Sequence, residues 1–556
     1  MSTTSMTRAT MMKRLLLPLT VLLAQFCAQD ANAAVPGITG PTFNLVAQPN
    51  YLNQPDGAQV YAWGYGCNGA PSGFAPAAIS GTCGSMQVPG PTLIVTEGQT
   101  VSVTLTNNLP TSAGNTSILF PGFQVTAAPA STQSNAACST TAVPPTSQVA
   151  SLSQGLLVGE ATNGCAVTYT FTASSPGTRA YYSGTQSDLQ IEMGLYGAII
   201  VLPKNVPTAC TTGLPAGNLA VEVAHGETDF RLAPAAYDHA KSCYDREYLF
   251  QFAEMDPNIH KQALAQATAT AGCTAGTIGC SMEISTEPYH PTYFLINGRS
   301  MPDDMDGNYG AEYPHQPYNG NPHMHPGEEV LMRVIGQGRW QHPFHEHGNH
   351  VRILARDANL VLTPDGQSLA GPLLFTTTTT PGQAFDGIFY WTGRGLNWDA
   401  YGHHQSATAT TDPNVEPPCI PDANGYYTVL STPPAPASAN NYFEWCADHN
   451  KPLEAAPFGD VGGGGPATLP NANILANGAW YSGSPYLGQD ATTRATGVNS
   501  SFQPANTQAN PAGERGFAFM WHSHNEREIT TNNVFPGGMF MMMLVDSREF
   551  AIDEKN

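Results

Sequence analysis

The chain has 556 residues, with 21 basic against 42 acidic side chains and a formal charge of −21, a balance that sets aside nucleic acid and anionic membrane surfaces as partners. Only 11% of the residues are charged, while 55 glycines and 46 prolines break the sequence into short segments, so the composition predicts strands joined by many turns and little helix. The length exceeds what one core supports and predicts two or three domains.

In chain order, the first element is a secretory leader. Lys13 and Arg14 precede the apolar run "LLLPLTVLLA", and Ala31-Asn32-Ala33 supplies small residues for cleavage, so residues 1–33 read as a signal peptide. Phe26 before Cys27 argues against a lipid anchor. No later segment has eighteen consecutive apolar residues, which leaves a soluble periplasmic or extracellular protein without a membrane anchor. Eleven cysteines fit that compartment, since those after Cys27 are even in number. Connectivity is open at this level; pairing neighbours would join Cys67 to Cys83, Cys138 to Cys165, Cys210 to Cys243, Cys273 to Cys280 and Cys419 to Cys446. Fully paired, they leave no thiolate for a metal.

A first domain is placed at 35–205. Within it, "VPGPTLIVTEGQTVSVTLTNNLP" (88–110) runs from Leu93, Ile94 and Val95 through a Glu97-Gly98 turn into Val101, Val103 and Leu105, which alternate with Ser and Thr as a half-buried strand does. "TSILFPGF" (116–123) and "PGTRAYYSGTQSDLQIEMGLYGAIIV" (176–201) follow.

The plan then recurs over 215–550. "HPGEEVLMRVIGQG" sets Gly327 against Gly98, Val330 against Val101, and Met332 and Val334 at the next inward places; "HPFHEHG" (342–348) answers "TSILFPGF", and "RGFAFMWHSHNEREITTNNVFPGGMFMMMLV" (515–545) answers 176–201. The prediction is an all-β chain of two Greek-key β-sandwich domains, the second lengthened by a loop-rich insertion at about 395–512 that leaves room for a third, degenerate sandwich. "TTTTT" (376–380) reads as a strand-edge string with no chemistry.

Residues two apart on a strand share a face, so His345 with His347, and His522 with His524, can direct four imidazoles to one point. Neutral imidazole suits copper, zinc or iron. The competing reading is that these rings only hydrogen-bond in a polar core. His323 and His325 in "NPHMHP", with His403 and His404, are candidates for outer ligands or a metal entry site, against ordinary solvated loop histidines. The methionines of "GGMFMMMLV" read better as core, because the matching "GLYGAIIV" has none.

"HPFHEHG" resembles the H-P-x-H-x-H-G motif of the multicopper oxidases, the laccase-like cupredoxin family, and "WHSHNEREITTNNVFPGGM" resembles a diverged form of their W-H-C-H-x-x-x-H…G-M ending; "PGPTLIVTEGQTVSVTLTNNLP" and "GLYGAIIV" resemble their first domain. The resemblance implies cupredoxin-like domains, copper as cofactor, an electron-transfer copper and a three-copper cluster. Several positions depart from it. The first-domain H-x-H-G is Leu119-Phe120-Pro121-Gly122 here, and the H-S-H is Tyr182-Ser183-Gly184. The thiolate position holds Ser523, the second histidine position holds Glu528, and only His342 stands where the electron-transfer site expects it. What the resemblance leaves is a reduced site of His345, His347, His522 and His524 for one copper, or two at most, with His342 and Glu528 as further candidates. Electrons would come directly from a small-molecule or metal-ion reductant, and the two-domain members imply a homo-oligomer. The sequence therefore supports three readings: a copper-dependent oxidoreductase, an inactive copper-binding or structural cupredoxin scaffold, and a small-molecule binding protein.

Overall fold

The computed structural model describes residues 35–394 apart from 80, 134–137, 139–151, 156 and 213, then 404–405, 415–416, 420–436, 442–447, 483–486 and 516–546, with 548, 551, 552 and 554. The signal-peptide assignment at 1–33 and His403 lie outside these residues.

Two five-stranded sheets form from residues 37–202. One runs Gln59–Cys67, Thr42–Asn53, Thr100–Asn107, Ala166–Thr172, Thr126–Pro129; the other runs Gly177–Tyr182, Tyr196–Leu202, Leu93–Thr96, Gly37–Thr39, Phe74–Ala75. Val101, Val103 and Leu105 point inward as their alternation requires, and they meet Trp63, Tyr169 and Ile199 in the shared core.

Residues 246–546 repeat the arrangement. A seven-stranded sheet orders Tyr293–Ile296, Arg246–Met255, Glu329–Gly336, Ala384–Tyr390, Val351–Arg356 and Asn359–Leu360, with Leu373–Leu374 beside Val351–Arg356. A six-stranded sheet orders His323–Met324, Phe540–Asp546, Gly516–Ser523, His342–Glu346 and Thr376–Thr379, with Gly483–Tyr486 beside Gly516–Ser523. The duplication extends to pairing. Thr42–Asn53 lies parallel to Thr100–Asn107 as Arg246–Met255 lies parallel to Glu329–Gly336, and the closing hairpins Gly177–Tyr182/Tyr196–Leu202 and Gly516–Ser523/Phe540–Asp546 are both antiparallel. Gly98 and Gly327, matched in sequence, each turn at φ 84°, a left-handed value that glycine adopts without a Cβ clash. The fold is a pair of cupredoxin-like β-sandwiches.

The sandwiches share buried contacts. Ala198 and Ile200 pack with Leu249, Ile335 and Ala384, while Thr178 donates to Asp386 at 2.7 Å and accepts from Arg333 at 3.0 Å. Two longer helices depart from the strand-and-turn expectation, Leu214–Ala224 and Pro257–Ala269; the first turn of the latter is set by Asp256 accepting from the Asn258 amide and by proline at its start. Four of the neighbour disulfides are present, Cys67–Cys83, Cys138–Cys165, Cys210–Cys243 and Cys273–Cys280; Cys446 is also disulfide-bonded, with Cys419 outside the described residues. Most of the insertion likewise falls outside them, though Ala435, Tyr442 and Phe443 form a small core with Val221.

Gly66 shows how closely the first sandwich is packed. A Cβ there would stand 2.2 Å from the backbone carbon of Ser85, whereas one at Gly84 would meet nothing nearer than 3.6 Å. Gly66→Ala is therefore expected to cost about 1–3 kcal/mol or more through overpacking, and Gly84→Ala less than about 1 kcal/mol. Urea unfolding midpoints of the two variants check this; equal midpoints would contradict the close approach.

Candidate metal centre

The strand His342–Glu346 places His345, and His347 follows one residue past its end. Gly516–Ser523 places His522. The two strands pair antiparallel with His345 directly opposite His522 and Phe344 opposite Ser523, so the rings meet because the register sets them opposite. Ring centroids are 4.9 Å apart for His345 and His347, 5.5 Å for His345 and His522, and 5.1 Å for His347 and His522. The ligand atoms of these three residues all lie within 4.8 Å of one another, and all three residues are buried.

His524 stands at the rim. Its ring is 4.7 Å from that of His345 and 5.6 Å from that of His522, but its side chain is 52% exposed and falls outside the tight group of three. The strand pairing ends at Ser523, and the chain turns outward there. The His524 amide donates to the Pro343 carbonyl at 2.7 Å.

The tautomers follow from the partners. His522 Nδ1 faces the Ser523 carbonyl at 2.7 Å; a carbonyl only accepts, so Nδ1 carries the proton and Nε2 is the donor atom toward the cluster. That Nε2 lies 3.2 Å from His347 Nε2. His345 Nδ1 pairs with Thr376 Oγ1 at 2.6 Å, which turns Nε2 toward the other rings. Burial, reinforced by the neighbouring imidazoles, pushes His345 down to about 4, and burial also lowers His522, so both are neutral at pH 7. Trp521 fixes the floor, with its indole N–H on the His347 carbonyl at 3.1 Å and its ring packed on Phe389.

The other candidates stand elsewhere. His342 is fully buried, with Nδ1 2.9 Å from Glu528 Oε2 and Nε2 3.0 Å from Glu254 Oε2. Burial alone would lower its pKa, but the hydrogen bonds and charges of the two glutamates override that and raise it to about 9. His342 and Glu528 hold each other, and neither belongs to the tight group of His345, His347 and His522. Ser523 Oγ donates to the same Glu528 oxygen, and Met539 lies in the apolar core. His323 is 2.6 Å from Asp546, and His325 lies 2.5 Å from Glu227 and 2.9 Å from the Asp546 carbonyl, so both join a buried acidic network. His404 opens a two-residue strand.

In the first sandwich Leu119 bridges Tyr182, and its side chain fills the space that a Cβ on Gly184 would take, 2.8 Å away. An apolar packing contact thus occupies the positions where the resemblance implies imidazoles. The contact that sequence reasoning missed is Thr376, dismissed with its threonine run; its signal is position, since Thr376–Thr379 pairs with the histidine strand and sets Thr376 opposite His345.

A cupredoxin-like pair of sandwiches with a histidine-only cluster in the second is the class that fold and geometry define. Residues 80–149 match a family model described as multicopper oxidase, a segment of the first sandwich that contains none of these histidines. Among curated proteins, none matches. Similar solved structures include a blue copper oxidase from Nitrosomonas europaea, 15% identical over 90% of this chain and 85% of that one with a TM-score of 0.40, and the multicopper oxidase mgLAC, 14% identical over 91% and 85% with a TM-score of 0.39. A copper nitrite reductase from Nitrosomonas europaea is 18% identical over 64% of this chain and 85% of that one, with a TM-score of 0.33. Over residues 80–149 the chain is similar to the multicopper oxidases.

Proposed function

We propose that this protein is a periplasmic or secreted copper-binding oxidoreductase of the multicopper oxidase type, working through a site made of histidine alone. His345, His347 and His522 hold the ion, and His524 closes the site from its exposed rim. The observation that carries this reading is the approach of two imidazole Nε2 atoms to 3.2 Å, beside a third neutral ring, with the tautomer of His522 fixed so that its Nε2 faces inward. The donor set fits copper without a thiolate: imidazole nitrogen is a borderline ligand, and the described cysteines are all disulfide-bonded.

Copper held by imidazoles supplies one-electron chemistry. The chain's own residues supply the rest. Thr376 and the Ser523 carbonyl orient two rings, Trp521 excludes water from below, and exposure of His524 leaves an approach for a small-molecule or metal-ion reductant. The disulfides support an oxidising compartment, and among the described residues no helix is long and apolar enough to cross a membrane. A second reading, a copper-binding scaffold without turnover, is favoured by the ion pairs that occupy His342 and Glu528.

Equilibrium dialysis against copper(II) is the test. The wild-type protein is expected to take up copper stoichiometrically and without an intense blue band, because Ser523 cannot form the copper–thiolate bond. His345→Ala and His522→Ala each abolish uptake, while His524→Ala weakens it. Absence of stoichiometric uptake by the wild type defeats the reading, and oxygen consumption with phenolic, metal-ion and ascorbate-like donors separates oxidase from scaffold.

A further inference from the structure

A buried line of side chains runs beside the cluster without joining it. Glu254 is fixed on one side by the backbone amides of Arg339 and Trp340, at 2.8 and 2.9 Å. Its other oxygen faces His342 Nε2 at 3.0 Å; His342 Nδ1 reaches Glu528 at 2.9 Å; and Glu528 accepts from the hydroxyl of Ser523 and from the Asn525 amide group, the latter at 2.9 Å. All of these except Asn525 are buried. Ser523 is the residue between His522 and His524, and its carbonyl is what holds the Nδ1 of His522.

We propose that His342, clamped between Glu254 and Glu528, is a positioning residue that sets the ring orientation of His522 through Ser523, and thereby the metal affinity of the cluster.

The geometry gives the direction of control. Ser523 is gripped at three points: its amide on the Met539 carbonyl at 3.0 Å, its hydroxyl on Glu528, and its carbonyl by His522. The amide contact belongs to the strand pairing and persists without the clamp. The peptide between Ser523 and His524 is held at its far end, where the His524 amide donates to the Pro343 carbonyl at 2.7 Å, and the hydroxyl contact holds its near end at Ser523. When the hydroxyl contact is lost, the plane of that peptide pivots about the remaining His524 bond, so the Ser523 carbonyl tilts and the imidazole tilts with it. His342 keeps Glu528 in place because a carboxylate buried here without a cation would turn toward water. Outer groups that orient metal-binding imidazoles commonly control affinity by about 10- to 100-fold.

The inference rests on the metal reading, and two measurements separate their failures. The first is copper(II) affinity of the folded full-length protein. The second, made without metal, is the rate at which diethyl pyrocarbonate modifies His522 and His524, read by peptide mass spectrometry. In the wild type His524 reacts fast and His522 slowly. Glu528→Ala and His342→Gln are expected to raise the His522 rate several-fold and to weaken copper about 10- to 100-fold. Glu528→Gln, whose amide oxygen still accepts from both Ser523 and His342, stays close to wild type in both measurements, a rescue that loss of packing alone would not predict. Ser523→Ala removes only the hydroxyl and reports the same effect should the buried variants fail to fold. Wild-type His522 protection and copper affinity in folded Glu528→Ala and Ser523→Ala proteins would overturn the proposal. If the wild type binds no copper, the metal reading fails, and the modification rates still decide whether the clamp positions His522.

Discussion

Arg246→Met is expected to lose at least about 3–5 kcal/mol of stability, enough to leave little folded protein, although the substitution lies outside the histidine cluster. Arg246 begins the strand Arg246–Met255 and is buried, with its guanidinium on Glu227, on Glu328 at 2.6 Å and on Glu554 at 3.0 Å. Burial alone would raise these acids. The charge of Arg246 outweighs it for Glu227, which is held down at about 2, and for Glu328, which is held well below the carboxylate range. Methionine fills similar volume but returns no charge, so the carboxylates must either protonate or draw water into the core. The C-terminal segment also loses an anchor, since Glu554 is held by Arg246 and Tyr248. Thermal unfolding of Arg246→Met and of Arg246→Met/Glu227→Gln/Glu328→Gln checks the cause. The triple variant recovers part of the loss if uncompensated charge is responsible, and a single variant within about 1 kcal/mol of wild type would contradict the account.

That network bears on what the sequence discloses. Strand pattern is local, so Val101, Val103 and Leu105 announce their inward face, and the Gly98 and Gly327 turns announce the duplication. The convergence of His345 with His522 is legible for the same reason, since each sits in a two-residue repeat on a strand whose partner the duplicated plan supplies. Partnership across long separations is not legible. Nothing near His342 says that Glu254 and Glu528 flank it, 88 and 186 residues away, and a histidine in family position reads as a ligand until both ring nitrogens are seen to be occupied. His323 and His325 mislead in the same way, because their acids come from Asp546 and Glu227. The exposure of His524 depends on where pairing stops, which the H-x-H spacing alone does not contain.

The charge on His342 also gives the protein a stability that falls with alkalinity. Its folded pKa of about 9 lies above the ordinary histidine value near 6.5, so the folded state holds a proton that the unfolded chain releases. The contribution is complete below about pH 6.5 and disappears as pH rises through about 9, for a total of about 3 kcal/mol. Several other groups titrate in separate windows. Asp245 and Glu554, both raised by burial to about 7, remove stability mainly as pH climbs from the carboxylate range to neutrality, and the buried tyrosines Tyr65, Tyr181 and Tyr244, raised by burial, act only above about pH 10. Glu222, Asp304 and Glu346 are raised well above the carboxylate range by burial and also shed stability as pH rises, so the part owed to His342 is the difference between wild type and His342→Gln in urea midpoints measured between pH 7 and about 9.5. The wild type is expected to lose most of that contribution across this range, and His342→Gln, though less stable at pH 7, to fall less steeply. A wild-type midpoint that stays level up to about pH 9.5 would mean that Glu254 and Glu528 do not hold a proton on the ring between them.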